Sequence, residues 1–159
     1  MFQLLIATQN NHKLEEIKPL LGSRNIQLVD LNSKSNIPEI IENGNSFREN
    51  AAIKANVCYE AFQQPVLADD SGLEVFALNN EPGIYSARYG GKPGDHLKNN
   101  QTLLKNMAHL SDDQRQARFV CCLCYRDASG TYYFEGESRG TILKDFKGAA
   151  GFGYDPLFY

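Results

Sequence analysis

FQLLIATQNNHKLEEIKPLLGSRNIQLVDL, residues 2–31, carries two apolar runs on either side of an amphipathic one. Phe2 to Ala7 is apolar except for Gln3, the pattern of a strand buried on both faces. After TQNN, Leu14, Ile17 and Leu21 recur at helical spacing, with Gly22 as a stop. Pro19, inside that run, is expected to kink or shorten the helix. Ile26 to Leu31 reads as a second strand. Strand, short loop, helix and strand begin an α/β layer architecture.

The pattern continues outward from there. Residues 32–45 are polar with little periodicity and read as a loop or edge. Ser46 with Glu49 three residues on forms a capping box that opens a helix. Phe47, Ala51, Ala55, Cys58 and Phe62 make its buried stripe, while Asn50 and Lys54 lie one turn apart on a neighbouring face. Val66 to Ala68 is a buried strand, and GLEVFAL (72–78) is a further extended segment closed by Pro82-Gly83. Residues 95–110 form a helix with Leu97, Leu103 or Leu104, Met107 and Leu110 inward. ARFVCCLCYR and TYYFEGESRGTI flank Asp127 to Gly130, which reads as a β-hairpin turn. The last residues, Leu157-Phe158-Tyr159, look like a strand.

Composition excludes several classes. At 159 residues the chain can bury one good core but not two, so one domain is expected. No apolar run approaches the roughly 20 residues that span a bilayer, so no membrane partner is expected. MFQLLIATQNN lacks a basic leader region. A net charge of -3 argues against a nucleic-acid coat, which needs a basic face. Cys121, Cys122 and Cys124 stand too close together to wrap a tetrahedral zinc. With Cys58 they read as core thiols of a reducing, cytoplasmic setting. Gly91-Lys92 is followed by Pro93 and not by Ser or Thr, which rules out a phosphate-binding P-loop. No serine stands in G-x-S-x-G, and His12, His96 and His109 read as surface residues. A hydrolase built from this chain would use a metal, not a triad.

The acids are the candidates. PVLADDSG (65–72) delivers a buried strand onto Asp69 and Asp70. Asp-Asp-Ser-Gly is also ordinary turn chemistry. On an extended backbone the two carboxylates point to opposite faces, so one can hold a metal while the other braces the loop. Mg²⁺ prefers one or two carboxylates together with substrate phosphates and water. Glu39 and Glu42 offer a further carboxylate, or are merely solvated. Thr8, Asn10, Asn11 and Lys13 stand where a strand hands over to a helix N-terminus, either an anion site or a simple cap. Phe152, Tyr154 and Asp155 among flexible glycines could form a shelf for a base, or simply pack.

IATQNNHKLEEI, SFRENAAIKA, LADDSGLEV, PGIYSARYGG and GFGYDPLFY, in this order, resemble the inosine/xanthosine triphosphate pyrophosphatase family. The resemblance spans essentially the whole chain. It implies an elongated α/β fold: a mixed twisted sheet with flanking helices, two-lobed, with a central cleft. It also implies a homodimer and Mg²⁺-dependent hydrolysis of a non-standard purine nucleoside triphosphate (ITP, dITP or XTP) to the monophosphate and pyrophosphate.

Carried onto this chain, the resemblance makes Asp70 the catalytic acid and a metal ligand. Glu42 is the first choice for the second metal carboxylate, with Glu39 behind it. Thr8, Gln9, Asn10, Asn11, His12 and Lys13 would grip the phosphates. Ser71 and Phe152, Gly153, Tyr154 and Asp155 would meet the rest of the substrate. The family also has a C-terminal lysine and a Ser-His-Arg motif that this sequence does not contain. The expectation is therefore a chain lacking that segment, with a nucleotide-binding module without turnover as the alternative function. A haloacid-dehalogenase-like phosphatase fits poorly, because DDSG lacks the Asp-x-Asp spacing.

Overall fold

A computed structural model describes residues 2–21, 25–148 and 151–159. The opening motif forms as expected: β1 (Phe2–Ile6), α1 (Asn11–Leu21) and β2 (Ile26–Asp30). β1 and β2 pair in parallel with Phe2 opposite Ile26 and Ile6 opposite Asp30, as a helical crossover requires. Leu4, Leu5 and Ile6 are all buried, so β1 is covered on both faces. α1 runs on past Pro19 to Leu21, so the proline does not end it. Gly22, read as its stop, lies outside the described residues.

Next come α2 (Phe47–Phe62), β3 (Val66–Val75), β4 (Glu81–Pro82), α3 (His96–Asn106), β5 (Gln116–Asp127) and β6 (Gly130–Thr141). The six strands form one mixed sheet in the order β2-β1-β3-β5-β6, with β4 antiparallel on β3. This is a mixed α/β fold with flanking helices. The chain divides into two compact units, residues 1–70 with 122–135 and residues 71–121 with 136–159.

In the first unit Leu4, Ile6, Leu14 and Leu67 form a core joined by Ile17, Leu28 and Leu123. α2 begins at Ser46, whose hydroxyl accepts from the Glu49 N–H at 3.1 Å, a cap worth about 1 kcal/mol. The return bond of the box is displaced by one residue, since Glu49 Oε2 accepts from the Asn45 N–H at 2.6 Å. Phe47, Ala51, Ala55 and Cys58 are buried as the stripe predicts, whereas Phe62 is only half-buried. Asn50 and Lys54 are buried as well.

In the second unit Leu73, Val75, Leu103, Met107, Ala117, Ile142, Tyr154 and Leu157 form the core. Leu97, expected inward, is 60% exposed. α3 instead buries Asn99 and Asn100, because its inner face meets backbone that needs partners. Asn99 accepts from the Gly90 N–H at 2.6 Å and donates to the Ala87 carbonyl at 3.1 Å. The chain end is a 3₁₀ turn, Asp155–Leu157, followed by a single bridge between Ile142 and Phe158. It is not the full strand that its apolar residues suggest.

Candidate active site

β3 runs without interruption from Val66 to Val75, so Asp-Asp-Ser-Gly lies within a strand and is not a turn. Successive side chains on a strand face opposite ways. Asp69 and Asp70 accordingly find different lysines. Asp69, 6% exposed, receives a hydrogen bond at 2.5 Å from Lys13, which stands on the first turn of α1. Asp70 takes Lys54 of α2, with Nζ 3.3 Å from Oδ1.

Lys54 is shared. Its Nζ also donates to Glu42 Oε2 at 2.9 Å, so one ammonium joins a carboxylate of the loop before α2 to a carboxylate of β3. Burial pulls the Lys54 pKa down, but Asp70, Glu42 and Asp69 outweigh it and hold the ammonium above its ordinary value. Asp70 shifts the same way for the opposite reason. Burial raises its pKa, and Glu42 adds to this, while Lys54, Lys13 and an Asn50 side-chain hydrogen bond only partly offset the rise. Its Oδ2 is buried and has no hydrogen-bond partner among the described residues. Of the two glutamates, Glu42 reaches Lys54, and Glu39 stands exposed on the same loop.

The β1–α1 loop is a helix cap. Asn10 Oδ1 accepts from the N–H of His12 at 3.0 Å and of Lys13 at 3.4 Å, while Thr8 Oγ1 accepts from the Asn10 N–H at 3.1 Å. The Asn10 side-chain oxygen therefore serves the helix, and the Lys13 ammonium is the positive group of this loop that faces the acids. Thr8 is buried, while Gln9, Asn11 and His12 are exposed.

Ser71 and the segment Phe152–Asp155 belong to the second unit. Tyr154 is a core residue whose hydroxyl donates to the Ser86 carbonyl at 2.8 Å. Asp155 Oδ2 accepts from the Phe152 N–H at 2.8 Å, and Asn100 donates to the Gly153 carbonyl at 2.7 Å. A Cβ at Gly151 would strike Asp155, and its φ of +84° favours glycine. These contacts fix the backbone of the segment. Phe152 and Gly153 remain half-buried.

Sequence reasoning passed over Lys54 and Asn50. A signal was present: a lysine and an asparagine four residues apart on one face of a capped helix, next to its alanine stripe, are polar groups that must be satisfied inside.

The donors present are hard oxygens. Glu42 and Asp70 already share one cation, so the pair fits Mg²⁺ as two-carboxylate sites do. Among the described residues no cluster of three or more His, Cys, Asp or Glu side chains forms a metal cage. Substrate phosphates and water would have to complete the coordination.

A sequence model of the Ham1 family matches residues 4–159. A dITP/XTP pyrophosphatase of Listeria monocytogenes is 44% identical over 160 residues, covering 100% of this chain and 79% of that protein. Its counterpart in Halalkalibacterium halodurans is 43% identical, with 100% and 82% covered. Among solved structures, a HAM1 protein from Coxiella burnetii superposes with a TM-score of 0.90 at 36% identity, covering 100% of this chain and 82% of that one. A nucleoside-triphosphatase, dITP/XTP pyrophosphatase, from Mycobacterium abscessus gives 0.85 at 38% identity, covering 99% and 83%. With a family model that matches residues 4–159 and relatives above 40% identity along its whole length, the chain belongs to the Ham1 family.

Proposed function

We propose that this protein hydrolyses non-standard purine nucleoside triphosphates, ITP, dITP and XTP, to the monophosphate and pyrophosphate. One observation carries the chemistry: two lysines and three carboxylates pair as Lys13–Asp69 and Glu42–Lys54–Asp70 at one stretch of β3. The enzyme names carried by relatives more than 40% identical supply the substrate class. They also disfavour the alternative of a binding module without turnover.

Asp70 is the base. Lys54 occupies Oδ1, which leaves Oδ2 as the atom to accept a proton from the attacking water. Burial makes this carboxylate more basic than an ordinary aspartate, which suits a general base. Lys13 and Lys54 place two ammonium groups where charge builds on the phosphate oxygens. Lys13 leaves or shares Asp69 to do so, and Asp69 keeps it aimed in the meantime. Glu42 and Asp70 would hold Mg²⁺, which when bound neutralises phosphate charge and favours the leaving pyrophosphate. Thr8 to Lys13 form the phosphate grip. Ser71 and Phe152 to Asp155 contact the nucleoside side of the substrate.

The net charge of -3 speaks for free nucleotides over nucleic acid as the substrate. Four free cysteines, three of them buried, support a reducing cytoplasm. No described helix is long and apolar enough to cross a membrane. The homodimer rests on the family resemblance.

Pyrophosphate release from ITP, dITP, XTP and ATP, with and without Mg²⁺, tests the reading. The expected result is Mg²⁺-dependent turnover that favours ITP, dITP and XTP over ATP. Equal rates on ATP, or release of orthophosphate alone, would overturn it.

A further inference from the structure

Asparagine is a poor choice for a buried helical position. Its amide competes with the backbone and must be satisfied once water is removed. Asn50 nevertheless sits in the first turns of α2 with 2% of its surface exposed. Its Oδ1 accepts from the Gly44 N–H at 2.9 Å, across six residues. Gly44 follows Glu42 by two residues, so this bond ties the backbone of the Glu42 loop to the helix. The approach is close: a Cβ on Gly44 would lie 2.8 Å from Asn50 Oδ1 and 2.7 Å from the Glu49 Cβ. One turn further along α2, Lys54 joins Glu42 and Asp70.

We propose that Asn50 is a positioning residue for the reaction, holding the Glu42 loop against α2 so that Glu42 and Asp70 face one cation together. It touches neither substrate nor metal and acts through Gly44. This rests on the reading of Glu42 and Asp70 as the metal carboxylates. Partners of metal ligands of this kind are typically worth 10–100-fold in metal affinity or activity. The Ser46 cap and the Glu49–Asn45 bond remain to start the helix without Asn50.

Two substitutions test the idea from opposite sides. Asn50→Ala removes the acceptor. Gly44→Ala keeps Asn50 but pushes the loop off it. Mn²⁺ binding is measured directly by calorimetry, alongside Tm and the Mg²⁺ dependence of ITP hydrolysis. Both variants should bind Mn²⁺ about 10–100-fold more weakly than wild type and need correspondingly more Mg²⁺. Asn50→Asp, which retains an oxygen for the Gly44 N–H, should keep the loop bond and bind Mn²⁺ more tightly than Asn50→Ala. Variants that lose Tm but bind Mn²⁺ as wild type does would make Asn50 a purely structural residue and overturn the proposal. A wild-type protein that binds no Mn²⁺ would overturn the carboxylate reading itself, a failure visible before any variant is made.

Discussion

Lys54 Nζ lies 3.3 Å from Asp70 Oδ1, yet burial still leaves the Asp70 pKa above that of a free aspartate. The net shift already includes the attraction of Lys54, so the ionised carboxylate is unfavourable in the folded protein even when paired. The native state then holds the Asp70 proton more tightly than the unfolded chain does. The Asp70 contribution to stability therefore falls as pH rises from near 3.8 through its folded pKa and is lowest above it.

Asp70→Asn should accordingly separate activity from stability. Turnover of ITP should fall by about 10²–10⁴-fold for a lost general base, and further if metal is lost with it. Tm at neutral pH in Mg²⁺-free buffer should be no lower than wild type, because the unfavourable charge is gone and Lys54 keeps Glu42. Steady-state kinetics and thermal denaturation read the two effects. An active variant would remove Asp70 from its role.

Lys54→Met should do the reverse to stability. It leaves Glu42 and Asp70 facing each other without their shared cation. Removing one partner of a buried pair costs about 3–5 kcal/mol, and the 39% exposure of Glu42 places this case at the lower end. Mg²⁺ should recover more Tm in Lys54→Met than in wild type, because the metal supplies the missing positive charge. An equal Mg²⁺ effect on both proteins would mean that the carboxylates do not share a metal.

Lys13 contacts phosphate and not base in this scheme, so Lys13→Ala should weaken ITP, XTP and GTP alike. The common loss should be roughly 1.5–3 kcal/mol, the range for a charged hydrogen bond. Comparing kcat/KM across the three nucleotides is the measurement. A loss confined to one base would place Lys13 elsewhere.

Much of this fold was legible because its signals are local. The apolar run of β1, the spacing of Leu14, Ile17 and Leu21, the Ser46–Glu49 pair and the Asp127–Gly130 turn each declare an element within a few residues. What was not legible depends on partners far away. Asp-Asp-Ser-Gly looks like a turn until Lys13 and Lys54, 56 and 16 residues from their acids, make a carboxylate-bearing strand affordable. Leu97 looked inward with the other apolar residues of its helix, yet Asn99 and Asn100 are the ones that backbone carbonyls at Ala87 and Gly153 require. Tyr154 read as a shelf or as packing, and the bond from its hydroxyl to the Ser86 carbonyl, 68 residues away, is the kind of partner that no local pattern reveals. The motif pointed to Asp70 and Glu42 as acids of interest. The lysine between them was passed over, because its one local signal, a polar pair with Asn50 beside the alanine stripe, does not say which acids it meets.

The thiols should behave as core groups. Burial pushes both Cys58 and Cys124 up to about 11, and Cys122, two residues before Cys124, is buried too, whereas Cys121 is half-buried. At pH 8 the thiolate fraction of a thiol with a pKa near 11 is on the order of 10⁻³. A disulfide reagent should therefore react with no more than Cys121 at an appreciable rate in native protein, and with all four cysteines after denaturation. Rapid native labelling of Cys58 or Cys124, located by peptide mass, would contradict their burial.

Arg115 offers the sharpest test of what holds the second unit together. It is 4% exposed, and its guanidinium spans three backbone carbonyls: Nε donates to Ile142 at 2.7 Å, Nη1 to Met107 at 3.1 Å and Nη2 to Leu143 at 2.8 Å. One planar fork thus joins the end of α3 to the segment after β6. Arg115→Met would leave these carbonyls without their donors, at about 1–3 kcal/mol for each one that water cannot reach. Relief of the buried charge offsets part of this, so a net loss of about 3 kcal/mol is expected. Arg115→Lys should recover little of it, because a single ammonium cannot reach three acceptors set around a fork. Both variants should lower the urea midpoint, while kcat per folded molecule, measured well below Tm, stays near wild type. A lysine variant as stable as wild type would show that charge, and not the shape of the donor, is what this position supplies.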